Sequence, residues 1–207
     1  NNIKFYLEKL NINTNPKILA VSKTFEINKI LPLIEYGHLH YGENKVQEAL
    51  EKWSDIKLKK KDLKLHLIGK LQTNKVKQAI KIFDYIHSVD SEKLAKKIAE
   101  EEIKQGKKIK IFIQVNIGNE EQKSGVNKSS VYELYSYCKA INLNVIGLMC
   151  IPPLKKSSDI YFKEMNILNK NLNLNELSMG MSSDYLDAIK NSATYVRIGS
   201  NIFGQRS

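Results

Sequence analysis

The chain has 207 residues, enough for one domain with a sizeable core, and no run approaches the ~18–20 apolar residues of a membrane span. A net charge of +11 would favour nucleic acid, but nearly all of the basic residues are lysines spread along the chain without interleaved stacking aromatics, so we expect no nucleic-acid partner. Cys138 and Cys150 lie in hydrophobic surroundings without a CxxC spacing, so we expect two buried thiols and a cytoplasmic location.

After a short opening segment, the chain repeats one unit eight times. Apolar positions from Asn2 to Leu10 have helical spacing, so residues 1–15 are predicted to be a leading helix and its connection, without a signal peptide. Each later unit is a short apolar run of strand length, followed by a segment with helical spacing. The predicted strands are Lys17–Lys23, His38–Tyr41, Lys64–Ile68, Asp84–Val89, Ile109–Asn116, Asn144–Cys150, Glu176–Met179 and Ala193–Ile198.

Segments with a helical period separate these strands, and Asp90 or Ser91 is expected to cap the fourth of them. Alternating strands and helices indicate a parallel sheet, and eight such units indicate a single (β/α)8 barrel of the TIM type over residues 1–207. A doubly wound open sheet is the alternative, but that fold carries about five or six strands, so the count favours the barrel. The helical segments are centred on Ile27–Ile34, Val46–Trp53, Val76–Phe83, Leu94–Ile103, Val131–Cys138, Ile160–Leu168 and Asp184–Lys190, with a last short one from Ser200 to Gly204.

Lys23 ends the first predicted strand, and the carboxyl ends of barrel strands are where this fold binds its ligands. Partial burial there would favour the neutral amine, the form that condenses with a carbonyl to give a Schiff base. Taken alone, this stretch is more typical of a lysine that extends to solvent at a strand end.

Glycine and serine cluster after the last two predicted strands, in Ser178–Ser183 and in Arg197–Ser200. Loops after strands seven and eight, with a short helix start, are where a barrel commonly holds phosphate. The eighth strand closes against the first, so the spacing suits pyridoxal 5'-phosphate, with its aldehyde on Lys23. Arg197 would then reach the pyridine nitrogen and, as it does not release its proton, keep that nitrogen unprotonated.

Other polar residues at the predicted strand ends carry weaker signals. Asn44 follows the second predicted strand, and His66 lies near the end of the third. Both could line the same pocket, although each residue type is more often structural in such a place. The sequence contains no HExxH, P-loop, GxGxxG or cluster of metal ligands, and no Ser-His-Asp order that can be placed, so nothing indicates a hydrolase or a metalloenzyme.

The motifs at these positions resemble a known family, the pyridoxal phosphate homeostasis proteins, which are related to the amino-terminal barrel domain of alanine racemase. The resemblance runs from about Ile18 to Arg206. It is carried by Ala20–Thr24, Tyr41–Glu48, His66–Lys75, Lys123–Gly125, Gly147–Met149, Leu177–Ser182, Val196–Ser200 and Ile202–Gly204.

The resemblance implies a barrel like the alanine racemase N-terminal domain, a Schiff base on Lys23, and phosphate contacts from Ser182, Gly199 and Ser200. It also implies a cofactor carrier without an assigned reaction, with PLP-dependent apoenzymes as recipients. A racemase is the alternative. It needs a second acid or base, which in alanine racemase is a tyrosine of a separate C-terminal domain, and we expect that domain to be absent because the sequence ends at Ser207. No long exposed apolar stripe demands a dimer, so we expect a monomer.

Overall fold

A computed structural model describes residues 15–153 and 157–204. Eight strands form one closed barrel, in which each strand pairs in parallel with its neighbours in chain order and the eighth pairs with the first. The strands are β1 (Lys17–Val21), β2 (His40–Glu43), β3 (Lys64–Leu67), β4 (Tyr85–Val89), β5 (Lys110–Val115), β6 (Asn144–Cys150), β7 (Glu176–Met181) and β8 (Tyr195–Ile198).

Helices lie outside the barrel and connect the strands. Short 3-10 turns at Thr73–Lys75 and Lys128–Ser130 precede two of them. The helices are α1 (Ile27–Glu35), α2 (Val46–Lys59), α3 (Val76–Ile82), α4 (Glu92–Gln105), α5 (Val131–Ala140), α6 (Ser158–Asn171), α7 (Tyr185–Lys190) and α8 (Ser200–Phe203).

The strands are mostly buried because helices cover their outer face and side chains fill the barrel on their inner face. Outward-facing side chains pack against the helices in one large cluster that includes Tyr41 and Trp53. A second, smaller cluster, made by inward-facing side chains, fills the barrel itself. Its buried members are Leu19, Tyr85, Phe112, Met149 and Tyr195.

The barrel, its eight strand–helix units and the serine cap are as predicted, and the open sheet is wrong. The Leu94 N–H donates to Ser91 Oγ at 3.4 Å, and α4 ends at Gly106 in the left-handed conformation. Both cysteines are buried and free, as predicted. The predicted leading helix lies outside the described residues. Within the described ranges, no helix combines the length and apolar character needed to cross a bilayer.

The predicted end of the second strand is wrong. That strand was expected to stop before Gly42, but β2 continues to Glu43. Gly42 pairs with His66 of β3, and Ile68 N–H donates to Glu43 O at 2.9 Å. A parallel ladder uses only backbone groups, so a glycine between two paired strands need not interrupt it.

Candidate functional site

Lys23 and the glycine- and serine-rich turns lie at the same end of the barrel. Lys23 occupies the turn that follows β1 and is partly buried. In the β1–β8 ladder, Ala20 pairs with Ile198, so the turn after β1 is adjacent to Gly199 and Ser200. The strand thus ends two residues earlier than predicted, at Val21, and Lys23 lies beside the turn after β8.

The turn that carries Lys23 is held from both sides. Ser22 is buried, and Lys52 Nζ donates to its carbonyl oxygen at 2.9 Å. On the other side of Lys23, the Thr24 N–H donates to Glu48 Oε1 at 2.6 Å. Thr24 has φ +67°, a conformation that a β-branched residue rarely adopts. Strain of this kind persists only where the surroundings enforce it. Here the hydrogen bonds to Ser22 and Thr24 fix the backbone on both sides of Lys23.

Glu43 is the centre of the polar cluster beneath this turn. Its side chain is 0% exposed, and its Oε1 accepts hydrogen bonds from Ser22 Oγ (2.8 Å), Trp53 Nε1 (2.9 Å) and Lys52 Nζ (3.1 Å). Burial raises the pKa of Glu43, while Lys52, Trp53 and Ser22 oppose that change. The cluster ties α2 and β2 to the Lys23 turn.

Arg197 points into the barrel from β8 and is only 5% exposed. Its Nη1 donates to the carbonyl oxygen and the hydroxyl of Ser178, at 2.8 and 2.9 Å, and its Nη2 donates to the carbonyl of Cys150 at 2.8 Å. A guanidinium has five N–H donors, so these bonds leave two that are not taken up by described residues. Burial lowers the pKa of Arg197, but a guanidinium stays charged at neutral pH.

The turns after β7 and β8 expose backbone groups at the barrel mouth. Met181 N–H donates to Asp184 Oδ1 at 2.7 Å, which shapes the turn that carries the partly buried Ser182. Gly199 is buried and precedes Ser200, the first residue of α8. The first N–H groups of a helix have no acceptor within that helix, so this turn can hold an anion.

Asn44 and Gly69 approach each other where β2 and β3 end. Asn44 is partly buried in the turn after β2. A Cβ atom built on Gly69 would lie 2.3 Å from the carbonyl oxygen of Asn44, so only glycine fits here. The two turns therefore fix each other's position, and a pocket-lining role for Asn44 stays a prediction.

His66 lies inside the barrel, not at a strand end. It has no exposed surface, and its two ring nitrogens are each 2.9 Å from a nitrogen of another histidine, His40 or His87. Burial, and then the neighbouring His87 and His40, lower its pKa well below the usual value. Both nitrogens are thus engaged by protein groups, and direct cofactor contact stays a prediction.

The polar loop after β5 is ordered by its own hydrogen bonds. Asn116 Nδ2 donates to Glu120 O at 2.9 Å, and Asn116 Oδ1 accepts from Glu120 N–H at 3.1 Å. Lys123 Nζ donates to Pro152 O at 3.1 Å, which joins this loop to the segment after β6. Among the described residues, no group of three or more His, Cys, Asp or Glu side chains is placed to hold a metal ion.

Several residues of the site were not predicted from the sequence. Ser178 and the Cys150 carbonyl anchor Arg197, and Glu43 with Lys52 supports the Lys23 turn. Ser178 was noted only as part of a glycine–serine run. Inward-facing positions on neighbouring strands could have identified it, since residues alternate between the two faces of each strand.

Comparison with known proteins points in one direction. The family model described as "Alanine racemase, N-terminal domain" matches residues 1–207. The chain is 42% identical over 200 residues to a pyridoxal phosphate homeostasis protein of Aquifex aeolicus, covering 92% of this chain and 87% of that one.

Solved structures give the same result at the level of the fold. PipY of Synechococcus elongatus PCC7942 has been solved without PLP and with PLP bound, with TM-scores of 0.86 and 0.83 and 32% identity, covering 98% of this chain and 100% of PipY. An alanine racemase of Clostridium difficile has a TM-score of 0.74 at 18% identity, covering 99% of this chain and 57% of the racemase, which is a likeness of fold alone.

Proposed function

Since the chain belongs to the family of pyridoxal phosphate homeostasis proteins, we propose that it binds pyridoxal 5'-phosphate and serves in the homeostasis of this cofactor. Its close relatives are named for that role and not for a catalysed reaction, which supports a binding protein over an enzyme. The racemases share the fold at 18% identity, so they give no support for a racemase activity of this chain.

One observation carries the proposal: a partly buried lysine, a buried arginine with donors that no described residue accepts, and two turns rich in glycine and serine lie around one barrel mouth. These groups fit pyridoxal phosphate, which has an aldehyde, a ring nitrogen and a phosphate. When bound, the cofactor supplies a reactive aldehyde and an electron-accepting ring.

The residues take distinct roles in this proposal. The amine of Lys23 would hold the cofactor covalently by condensing with its aldehyde, with release of one water. Ser182, Gly199 and Ser200 would hold the phosphate, and the N–H groups of Arg197 that no described residue accepts would serve the ring nitrogen. The guanidinium keeps its own proton, so the ring nitrogen stays unprotonated and withdraws electrons weakly, which suits storage rather than reaction.

The proposed partners follow from this role. PLP-dependent apoenzymes would receive the cofactor, and the chain would act as a cytoplasmic monomer. Support for a monomer comes from the exposed large apolar side chains of the described residues, which are distributed over six helices and the segment between α1 and β2. The buried free thiols are compatible with a reducing compartment.

Titration of the protein with pyridoxal phosphate, followed by visible absorption and equilibrium dialysis, tests the proposal. We expect one equivalent to bind with a spectral change, and no D-alanine to form when the loaded protein is incubated with L-alanine. A protein that takes up no cofactor would refute binding, and formation of D-alanine would refute the assignment as a carrier.

A further inference from the structure

A hydrogen-bonded chain of side chains crosses the barrel interior and ends on Arg197. His40 Nδ1 is 2.9 Å from His66 Nε2, and His66 Nδ1 is 2.9 Å from His87 Nε2. His87 Nδ1 is 2.9 Å from Ser178 Oγ, which accepts a 2.9 Å bond from Arg197 Nη1. We call His40, His66, His87 and Ser178 the histidine relay. It runs from the first residue of β2 to Ser178 in the middle of β7.

Burial favours the neutral form of the two inner rings of the relay. His66 and His87 are fully buried, and burial lowers the pKa of each well below the usual value. The charge of Arg197 lowers the pKa of His87 further. A neutral imidazole has one donor nitrogen and one acceptor nitrogen, so all the rings must donate in the same direction along the chain.

Ser178 decides that direction. Its hydroxyl has one hydrogen and two lone pairs, and one lone pair accepts from Arg197 Nη1. Within the part of the chain that the structure describes, the acceptor in reach of this hydroxyl is His87 Nδ1. The hydroxyl therefore donates to His87, and the Nε2 hydrogen of each ring faces the next ring or, at His40, the barrel's amino-terminal end.

We propose that the histidine relay is a positioning device for Arg197, in which every ring carries its hydrogen on Nε2 and the Ser178 hydroxyl turns a lone pair toward the guanidinium. The inference rests on the proposed function, because that function assigns Arg197 to the ring nitrogen of the cofactor. When every ring carries its hydrogen on Nε2, Ser178 on β7 and the Cys150 carbonyl on β6 orient the guanidinium before any cofactor binds.

The relay also links Arg197 to the far end of the barrel. His40 is partly exposed, and a proton added there occupies Nδ1, which then meets the Nε2 hydrogen of His66. Two donors cannot bond, so the relay must reverse or break, and the contact with Ser178 is disturbed. The groups facing His40 are Lys17 of β1, His38, Lys64 and His66 of β3, Asp84, and the rings of Tyr85 and Tyr195.

Nuclear magnetic resonance of the protein without cofactor tests the tautomers directly. The chain has four histidines and two arginines, so selective ¹⁵N labelling gives few signals. We expect long-range correlations near pH 7 to show neutral His66 and His87 rings with hydrogen on Nε2. A ring of either residue that is charged, or that carries its hydrogen on Nδ1, overturns the proposal.

A pair of variants tests the effect on Arg197. Ser178→Ala removes the hydroxyl, so the Arg197 guanidinium hydrogens should exchange with water about tenfold faster, as expected for the loss of one hydrogen bond. Ser178→Thr keeps a hydroxyl and should retain the wild-type rate. Equal rates in Ser178→Ala and the wild type would overturn the positioning role. Failure of the wild type to take up pyridoxal phosphate would refute the proposed function. It would not change what the tautomer and exchange measurements, made without cofactor, say about the relay.

Discussion

Ser22 Oγ donates a 2.8 Å hydrogen bond to Oε1 of Glu43, which joins the residue before Lys23 to the end of the neighbouring strand. The same carboxylate oxygen accepts from Trp53 and Lys52, so one buried acceptor connects β1, β2 and α2. A flexible lysine side chain is useful as a covalent anchor only if its backbone is held, and this cluster holds it.

Glu43→Gln should lower the free energy of unfolding by about 2 kcal/mol, the value of a buried hydrogen bond to a charged group. The substitution removes one carboxylate from Lys52, which keeps Glu48 at 2.9 Å and the Ser22 carbonyl at 2.9 Å. Urea denaturation measures the loss. Glu51→Gln, on the exposed face of the same helix, is the control and should change stability by less than about 0.5 kcal/mol. Equal stabilities of the two variants would contradict the role of Glu43.

Gly69→Ala should lower stability by about 1–3 kcal/mol, because its Cβ would overlap the Asn44 carbonyl and force the two turns apart. If Asn44 lines the pocket, affinity for pyridoxal phosphate should fall as well. Gly37→Ala is the control: its φ of +95° makes alanine strained, but no atom lies within 4 Å of the added Cβ. That control should lose about 1 kcal/mol and keep its affinity. An unchanged affinity of Gly69→Ala for pyridoxal phosphate would contradict the prediction that Asn44 lines the pocket.

Acid should destabilise the fold through the relay histidines. The pKa values of His66 and His87 are lowered by burial, so below about pH 6.5 the unfolded chain binds more protons than the native one. Stability then falls as the pH falls, by up to about 1.4 kcal/mol per pH unit for each ring. His40, with a pKa of about 4, adds to this between about pH 6.5 and that value.

His87→Phe isolates one ring, since a phenyl group can keep the stacking on Phe112 but binds no proton. Denaturation at pH 7 and 5.5 should give a shallower pH dependence for this variant. Groups such as Glu43, whose raised pKa acts in the opposite direction, are common to both proteins and cancel. Identical slopes would mean that His87 is not held neutral in the native state.

The barrel could be predicted because strand and helix segments alternate along the sequence, and counting the strands needs no long-range information. Lys23 and Arg197 could be assigned to one mouth because a closed parallel barrel places all carboxyl ends together. The end of β2 could not be predicted from the sequence, because glycine is typical of turns. Gly42 stays in the ladder because it pairs with Val21 of β1 and His66 of β3.

The histidine relay depends on relationships that the sequence does not display. His66 and His87 are 21 residues apart, and His87 and Ser178 are 91 apart. They meet only because each faces inward on its strand at a matching height, which is set by the stagger of the closed barrel. A sequence pattern can show alternation along one strand, but the relative heights of the strands follow from closure.

Reduction of the loaded protein with borohydride, followed by tryptic mapping, tests the assignment of Lys23 most directly. Trypsin does not cut after a modified lysine, so we expect the cofactor on one peptide of residues 18–29, with an uncut Lys23. Lys23→Arg should abolish that adduct, whereas Lys45→Arg, at an exposed position after β2, should retain it. Stoichiometric adduct on another lysine, or an undiminished adduct in Lys23→Arg, would contradict the assignment of Lys23 as the covalent anchor.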